Sequence, residues 1–224
     1  MAWLRRGLER GRQHLPPWPL VLLALLCALP EGMLWLAPNP RFLRGLMLQN
    51  FAFWPGVLGG GWRPNYPLQG AVMFLTYGFL HAGALHFLFN MITLFSLGRP
   101  LVADLGPGRF FALYAAGLVG GGLGYALLSG LPQPMVGASG ALFGMAGALV
   151  WRHFVADWQA LAPLSALRAA LWPIALLVGM NVVMYLAMNG QLAWEAHLGG
   201  ALAGMAAMLA LWRGSADDAE DGHR

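Results

Sequence analysis

Residues 136–151 read VGASGALFGMAGALVW, and the fold follows from asking what such a stretch can be. It carries no charge, is half glycine and alanine, and lies between the turn-rich SGLPQP of residues 129–134 and Arg152. Five further apolar stretches recur at roughly 18–37, 80–98, 110–128, 169–187 and 194–212. Several approach the ~20 residues a helix needs to cross ~30 Å of hydrocarbon. The Gly- and Pro-containing passages between them carry irregular backbone that acyl chains do not tolerate. Composition agrees: 58% of the 224 residues are hydrophobic and 10% charged, against about 25% charged in a soluble domain. One domain accommodates this length. The expectation is an all-α polytopic membrane protein with six transmembrane helices. A basic segment over 1–17 precedes a membrane domain over 18–212, and a tail follows over 213–224.

The basic residues are all arginine, dispersed between the apolar stretches rather than gathered on one face, which argues against nucleic acid and for topology. With the N-terminus inside, Arg5, Arg6, Arg10, Arg12, Arg99, Arg109, Arg152, Arg168, Arg213 and Arg224 fall on the cytoplasmic side. Arg41, Arg44 and Arg63 fall in one outer loop. Ten against three places both termini in the cytoplasm. The first stretch contains Glu31 and lacks a small-residue cleavage site, so it reads as a retained span. MAWLRRGLERGRQH is either a basic helix on the inner leaflet or a solvated flank, and DDAED near the C-terminus reads as an irregular end. The sole cysteine, Cys27, excludes an internal disulfide or a multi-cysteine metal site. The first outer loop, about 38–79, is long and aromatic, as in FAFWPGVLGGGWRPNYP, and is expected to lie partly in the membrane interface.

Polar groups inside a membrane are costly and mark function by default. Here they are Glu31, His81, His86, Asn90, Ser139, Asn181 and His197. Counting from the nearest cytoplasmic arginine at ~1.5 Å per residue puts Ser139 and His86 about 20 Å up, and His197 about 24 Å. Three groups on three helices share a level, and Asn90 lies one turn below His86 on the same face. Ser139 is flanked by glycines, which allow close approach and a strained helix start. A serine at a helix N-terminus also faces free amides and the positive dipole end. The competing reading of this segment is helix packing through the GxxxG of Gly140 and Gly144, and His197 is likewise followed by Gly200 and Gly204. Matched depth favours Ser139 and His197 as a pair, with His197 taking the serine proton. No carboxylate is placed to complete a triad, because Glu195 points to another face. Phe143, four residues after Ser139, either packs against the His197 ring or belongs to the ordinary core. His86 and Asn90 offer donors for a developing oxyanion. Metal or haem ligation by His81, His86 and His197 is the rival, but no carboxylate or cysteine completes a set. No cofactor is expected.

HAGALHFLFN (81–90), VGASG (136–140) and AHLGG followed by GxxxG resemble, in order and spacing, the three motifs of the rhomboid intramembrane proteases. The resemblance covers about residues 18–212 and implies a compact rhomboid-like bundle. It implies a Ser139–His197 dyad and an oxyanion pocket of His86, Asn90 and the Ser139 amide beside Gly137. His81, Gly140, Phe143, Gly200 and Gly204 would support them. The implied partners are the lipid bilayer, of a bacterial inner membrane, and the transmembrane segment of another protein as substrate. Relatives that lack the serine or histidine bind client helices without cleaving them, which is the alternative function; this chain retains both. No feature specifies an oligomeric state. Two departures stand out. The Trp-Arg of the long loop, Trp62-Arg63, lies upstream of the family position, where this chain reads AVMF, and Phe143 stands where a tyrosine is frequent. Pro173 and Gly179 make the fifth span either a moving gate or a simple kink.

Overall fold

The computed structural model describes residues 16–130, 132–159 and 192–221, together with 171, 174–175, 178–179, 181–183 and 185–186. The basic N-terminal segment, Arg168 and Pro173 lie outside the described residues. The fold is all-helical, the one strand-like feature among those residues being a bridge between Phe53 and Met135. The major helices are α1 (Trp18–Leu36), α2 (Pro40–Phe51), α3 (Pro55–Leu58), α4 (Gln69–Thr76), α5 (Ala84–Leu128), α6 (Ser139–Gln159) and α7 (Trp194–Asp221). Of these, α1 and α5 are long and apolar enough to cross a membrane. Leu25 and Leu29 of α1, Leu88 and Ile92 of α5 and Leu202 of α7 all face outward, as expected where the surroundings are lipid rather than water.

Two expectations are corrected. The connection between the second and third stretches, 99–109, is helical rather than a loop, and α5 changes direction only at Gly106, whose φ is 71°. Glycine reaches that region without the steric penalty of a side chain, and Pro107 follows it. The acidic DDAED is helical as far as Asp221, not an irregular end. Near the bend, Asp104 pairs with Arg152 of α6.

The core forms where α5, α6 and α7 cross, and glycine sets how closely. A Cβ at Gly200 would strike the Gly140 carbonyl, one at Gly204 the Gly144 carbonyl, and one at Gly120 or Gly124 the backbone of α7 around Gly199. These helices touch main chain to main chain, the arrangement small residues permit in membranes, where dispersion rather than water exclusion drives association. The Gly140/Gly144 segment is a packing motif, and the same helix carries Ser139 at its start.

Residues 38–79 are folded by rings and by bonds to main chain. Phe53 packs edge-on against Phe74 at 4.9 Å and Tyr77 at 5.8 Å, and Trp54 lies 4.8 Å from Trp62. Trp54 Nε1 donates to the Leu48 carbonyl at 2.7 Å, and Gln69 Nε2 to the Gln49 carbonyl at 2.7 Å. Glu31 is not part of the polar cluster at Ser139. It pairs with Arg44 at 3.6 Å, and Arg44 also donates to the His81 carbonyl at 2.9 Å, tying α1 and α2 to the lead-in of α5.

Candidate active site

Ser139 is the first residue of α6, His86 the third of α5 and His197 the fourth of α7. All three occupy first turns, so three helix N-termini, each with unsatisfied N–H groups and a positive dipole end, meet around one point. The local sequence explains each start. Gly83 precedes α5, the Gly- and Pro-containing run 130–137 precedes α6, and α6 begins as soon as Gly137 has turned the chain.

His197 Nε2 lies 2.9 Å from Ser139 Oγ. The imidazole is stacked flat on Phe143, with centroids 4.1 Å apart and planes 2° from parallel. That contact answers the open question about Phe143, which sits on the serine's face and covers the histidine rather than merely filling the core. On the opposite edge of the ring, Nδ1 lies 2.7 Å from Asn181 Oδ1. The glycine seam fixes the distance between the two helices. Gly140 and Gly200 follow Ser139 and His197 by one and three residues, so a close backbone contact lies directly beside the side-chain contact.

Gly137 has φ 125°, backbone that side chains rarely tolerate, and a Cβ there would come within 2.8 Å of His86 Nε2 and 3.8 Å of Ser139 Oγ. The bare face of Gly137 therefore lets the His86 ring approach the serine. The Ala82 N–H donates to His86 Nδ1 at 3.3 Å, so the neutral ring carries its proton on Nε2, the nitrogen turned toward Gly137. Asn90 is buried one turn further along α5, and its Nδ2 donates to the His86 carbonyl at 2.7 Å. His81 is buried with its ring edge-on to His86 at 5.2 Å and to Phe87 at 5.4 Å. It supports His86 from behind and does not touch Ser139.

The lead-in to Ser139 is anchored at two points. Phe53 and Met135 exchange backbone hydrogen bonds of 3.0 Å, and the Gly137 N–H donates to the Tyr77 carbonyl at 3.0 Å. The Tyr77 hydroxyl passes between Gly121 and Gly140 and donates to the Leu118 carbonyl at 2.9 Å. Sequence reasoning did not find Tyr77. Asn181 it noted only as a costly polar group, without a partner. The glycine-dense run GLVGGGLG (117–124), far more glycine than a helix interior accepts without cause, was the signal for the close approach of α5.

The fold and this cluster define a helical protein in which a half-buried serine and a buried histidine, on separate glycine-packed helices, touch each other. Residues 68–214 match the model of the Rhomboid domain, and the chain belongs to the rhomboid family, a membrane-embedded family. It is 40% identical over 72 residues to Rhomboid protease GluP of Bacillus subtilis, covering 32% of this chain and 14% of that one. It is 35% identical over 127 residues to RHOMBOID-like protein 5 of Arabidopsis thaliana, covering 56% and 39%. Against Rhomboid-related protein 3 of Homo sapiens it is 25% identical over 207 residues, covering 85% and 47%. The chain thus spans less than half the length of each of these relatives. The family match begins at residue 68, just before α4, so residues 18–67, with α1, α2 and α3 among them, fall outside it.

Proposed function

We propose that this protein is a serine endopeptidase that cleaves peptide bonds in or near the transmembrane segments of other membrane proteins. The observation that carries the reading is the 2.9 Å contact between Ser139 Oγ and His197 Nε2. With six spans and both ends inside, as the arginine distribution supports, the site lies below the outer surface of the inner membrane of a bacterium.

The chemistry follows from the residues in place. Ser139 Oγ attacks the scissile carbonyl carbon while its proton passes to His197 Nε2. The carbonyl oxygen, now an oxyanion, accepts from the Ser139 N–H, from His86 Nε2–H beside Gly137 and from the second N–H of the Asn90 amide, the first being held by the His86 carbonyl. Preorganised donors of this kind are each worth roughly 10²- to 10³-fold in rate. Collapse breaks the C–N bond, and His197 returns its proton to the leaving amine. Water then attacks the acyl-serine ester, its proton passing through His197 to Ser139 Oγ as the acid departs. Water reaches the site from the outer side, past the short fourth span and its lead-in SGLPQP (129–134), which has few apolar residues. The substrate helix enters laterally and must unwind to present its carbonyl, because helical backbone hides its carbonyls in its own hydrogen bonds.

The test is reconstitution of the purified chain in lipid vesicles with a transmembrane substrate. Cleavage that disappears with Ser139→Ala and with His197→Ala is expected. Substrate binding unchanged by either substitution, with no product from the wild type, would contradict it and indicate a non-catalytic binder of client helices.

A further inference from the structure

We infer that Asn181 is a positioning residue for His197, the third member of a Ser–His–Asn array, which rests on the hydrolytic reading of Ser139 and His197. Nε2 can accept the serine proton only if it is itself unprotonated, so the neutral ring must carry its hydrogen on Nδ1. A hydrogen there needs an acceptor once it is buried. Asn181 Oδ1, 2.7 Å from Nδ1, is in place to be that acceptor.

The amide's orientation decides the matter. Were Nδ2 turned to the ring, Nδ1 would have to accept, the proton would move to Nε2, and the base would face Ser139 already occupied. With Oδ1 toward the ring, Asn181 selects the tautomer in which His197 can act. The stack on Phe143 holds the plane of the ring while Asn181 and Ser139 hold its two edges. Each rotation of the imidazole about its Cβ–Cγ bond therefore breaks at least two contacts.

Among the described residues, neither Glu195 nor Glu31 can take the task. Glu195 is two residues from His197 on the same helix and so on another face, and Glu31 is engaged by Arg44. A neutral amide supplies that acceptor without bringing a further charge into the membrane. An asparagine orienting the histidine is chemically sufficient, as in the Cys–His–Asn arrangement of papain-like proteases. The consequence for the fold is that the helical residues 181–183, outside the α5–α6–α7 glycine seams, become part of the catalytic apparatus.

The test compares Asn181→Leu, which keeps the volume and removes the acceptor, with Asn181→Asp, which keeps the acceptor. Both are measured in the full chain in vesicles, with Asn181→Ala, wild type and Ser139→Ala alongside. The readouts are kcat and KM on a transmembrane substrate, the rate of Ser139 labelling by a fluorophosphonate, and thermal unfolding. Loss of the tautomer-selecting partner should lower kcat and the labelling rate of Asn181→Leu roughly 10- to 100-fold, with KM little changed. Asn181→Asp should recover most of the loss. A leucine variant as fast as wild type would overturn the inference, as would the reverse order, leucine active and aspartate inactive, which is the signature of packing alone. Should Asn181→Leu unfold, Asn181→Ala with an unchanged melting temperature takes its place and must show the same fall in kcat. Activity in the wild type that Ser139→Ala abolishes, with Asn181 variants unaffected, would leave the protease reading standing and remove only the asparagine. Wild type without Ser139-dependent activity would remove both.

Discussion

Helices α5, α6 and α7 meet across glycines with backbone against backbone, whereas residues 38–79 are held by rings and by side chains bonded to main chain. Both regions converge on Ser139, and the difference shows what each contributes. A glycine seam has no side chain that can move aside, so it sets the separation of the Ser139 and His197 helices with little tolerance. Aromatic contacts and single hydrogen bonds yield more easily, each worth about 0.5–1.5 kcal/mol. The outer segment nevertheless reaches the site through main chain, by the Phe53–Met135 bridge and the Tyr77 carbonyl that receives the Gly137 N–H. The seam fixes the distance between Ser139 and His197; residues 38–79 fix the path by which the chain arrives at Ser139.

The contrast breaks most sharply at Gly200. Gly200→Leu places a side chain on the Gly140 carbonyl, which cannot retreat without separating α6 from α7. The expected result is a loss of about 3 kcal/mol or more of stability, seen as a lower melting temperature in detergent, together with loss of serine labelling. At Gly137 the two regions meet. Gly137→Ala strains a backbone at φ 125° and pushes on the His86 ring, so kcat should fall on the order of 10²-fold, while unfolding shifts by only about 1–3 kcal/mol. Phe143→Leu removes the stack on His197 but keeps an apolar side chain, and should slow labelling by up to about tenfold, as the loss of an aromatic pair of about 1 kcal/mol implies. The smallest effect belongs to the rim of the outer segment. Trp62→Ala loses the contact with Trp54, costing about 1 kcal/mol in thermal unfolding while leaving the labelling rate unchanged. A Trp62 variant that lost labelling as fully as Gly200→Leu would erase the distinction between the regions.

Much of the cluster was legible in the sequence because the three helices that carry it, α5, α6 and α7, all begin at it. Counting upward from Arg99, Arg152 and Arg213 put His86, Ser139 and His197 at one level, and the structure brings the three into one cluster at three helix starts. Depth is a one-dimensional quantity that residue numbers carry. The face a side chain presents to a neighbouring helix is not, and there the sequence was silent. Asn181 was visible as a costly polar residue, but its spacing does not say which ring it meets. Gly106 shows the same limit: Arg99, Pro100, Pro107 and Arg109 suggested a loop, yet one glycine with a positive φ absorbs the whole turn and the flanking residues stay helical. The outer segment was least legible, since its short helices owe their positions to Phe53, Trp54 and Tyr77 packing against residues far along the chain.

The central claim is that His197 activates Ser139, and identification of the labelled residue tests it most directly. The purified chain is treated with a fluorophosphonate and digested, and the modified peptide is located by mass spectrometry. A single phosphonylated residue at Ser139, absent when His197 is replaced by alanine, is the predicted result. An unmodified Ser139, or equal modification with and without the imidazole, would contradict it.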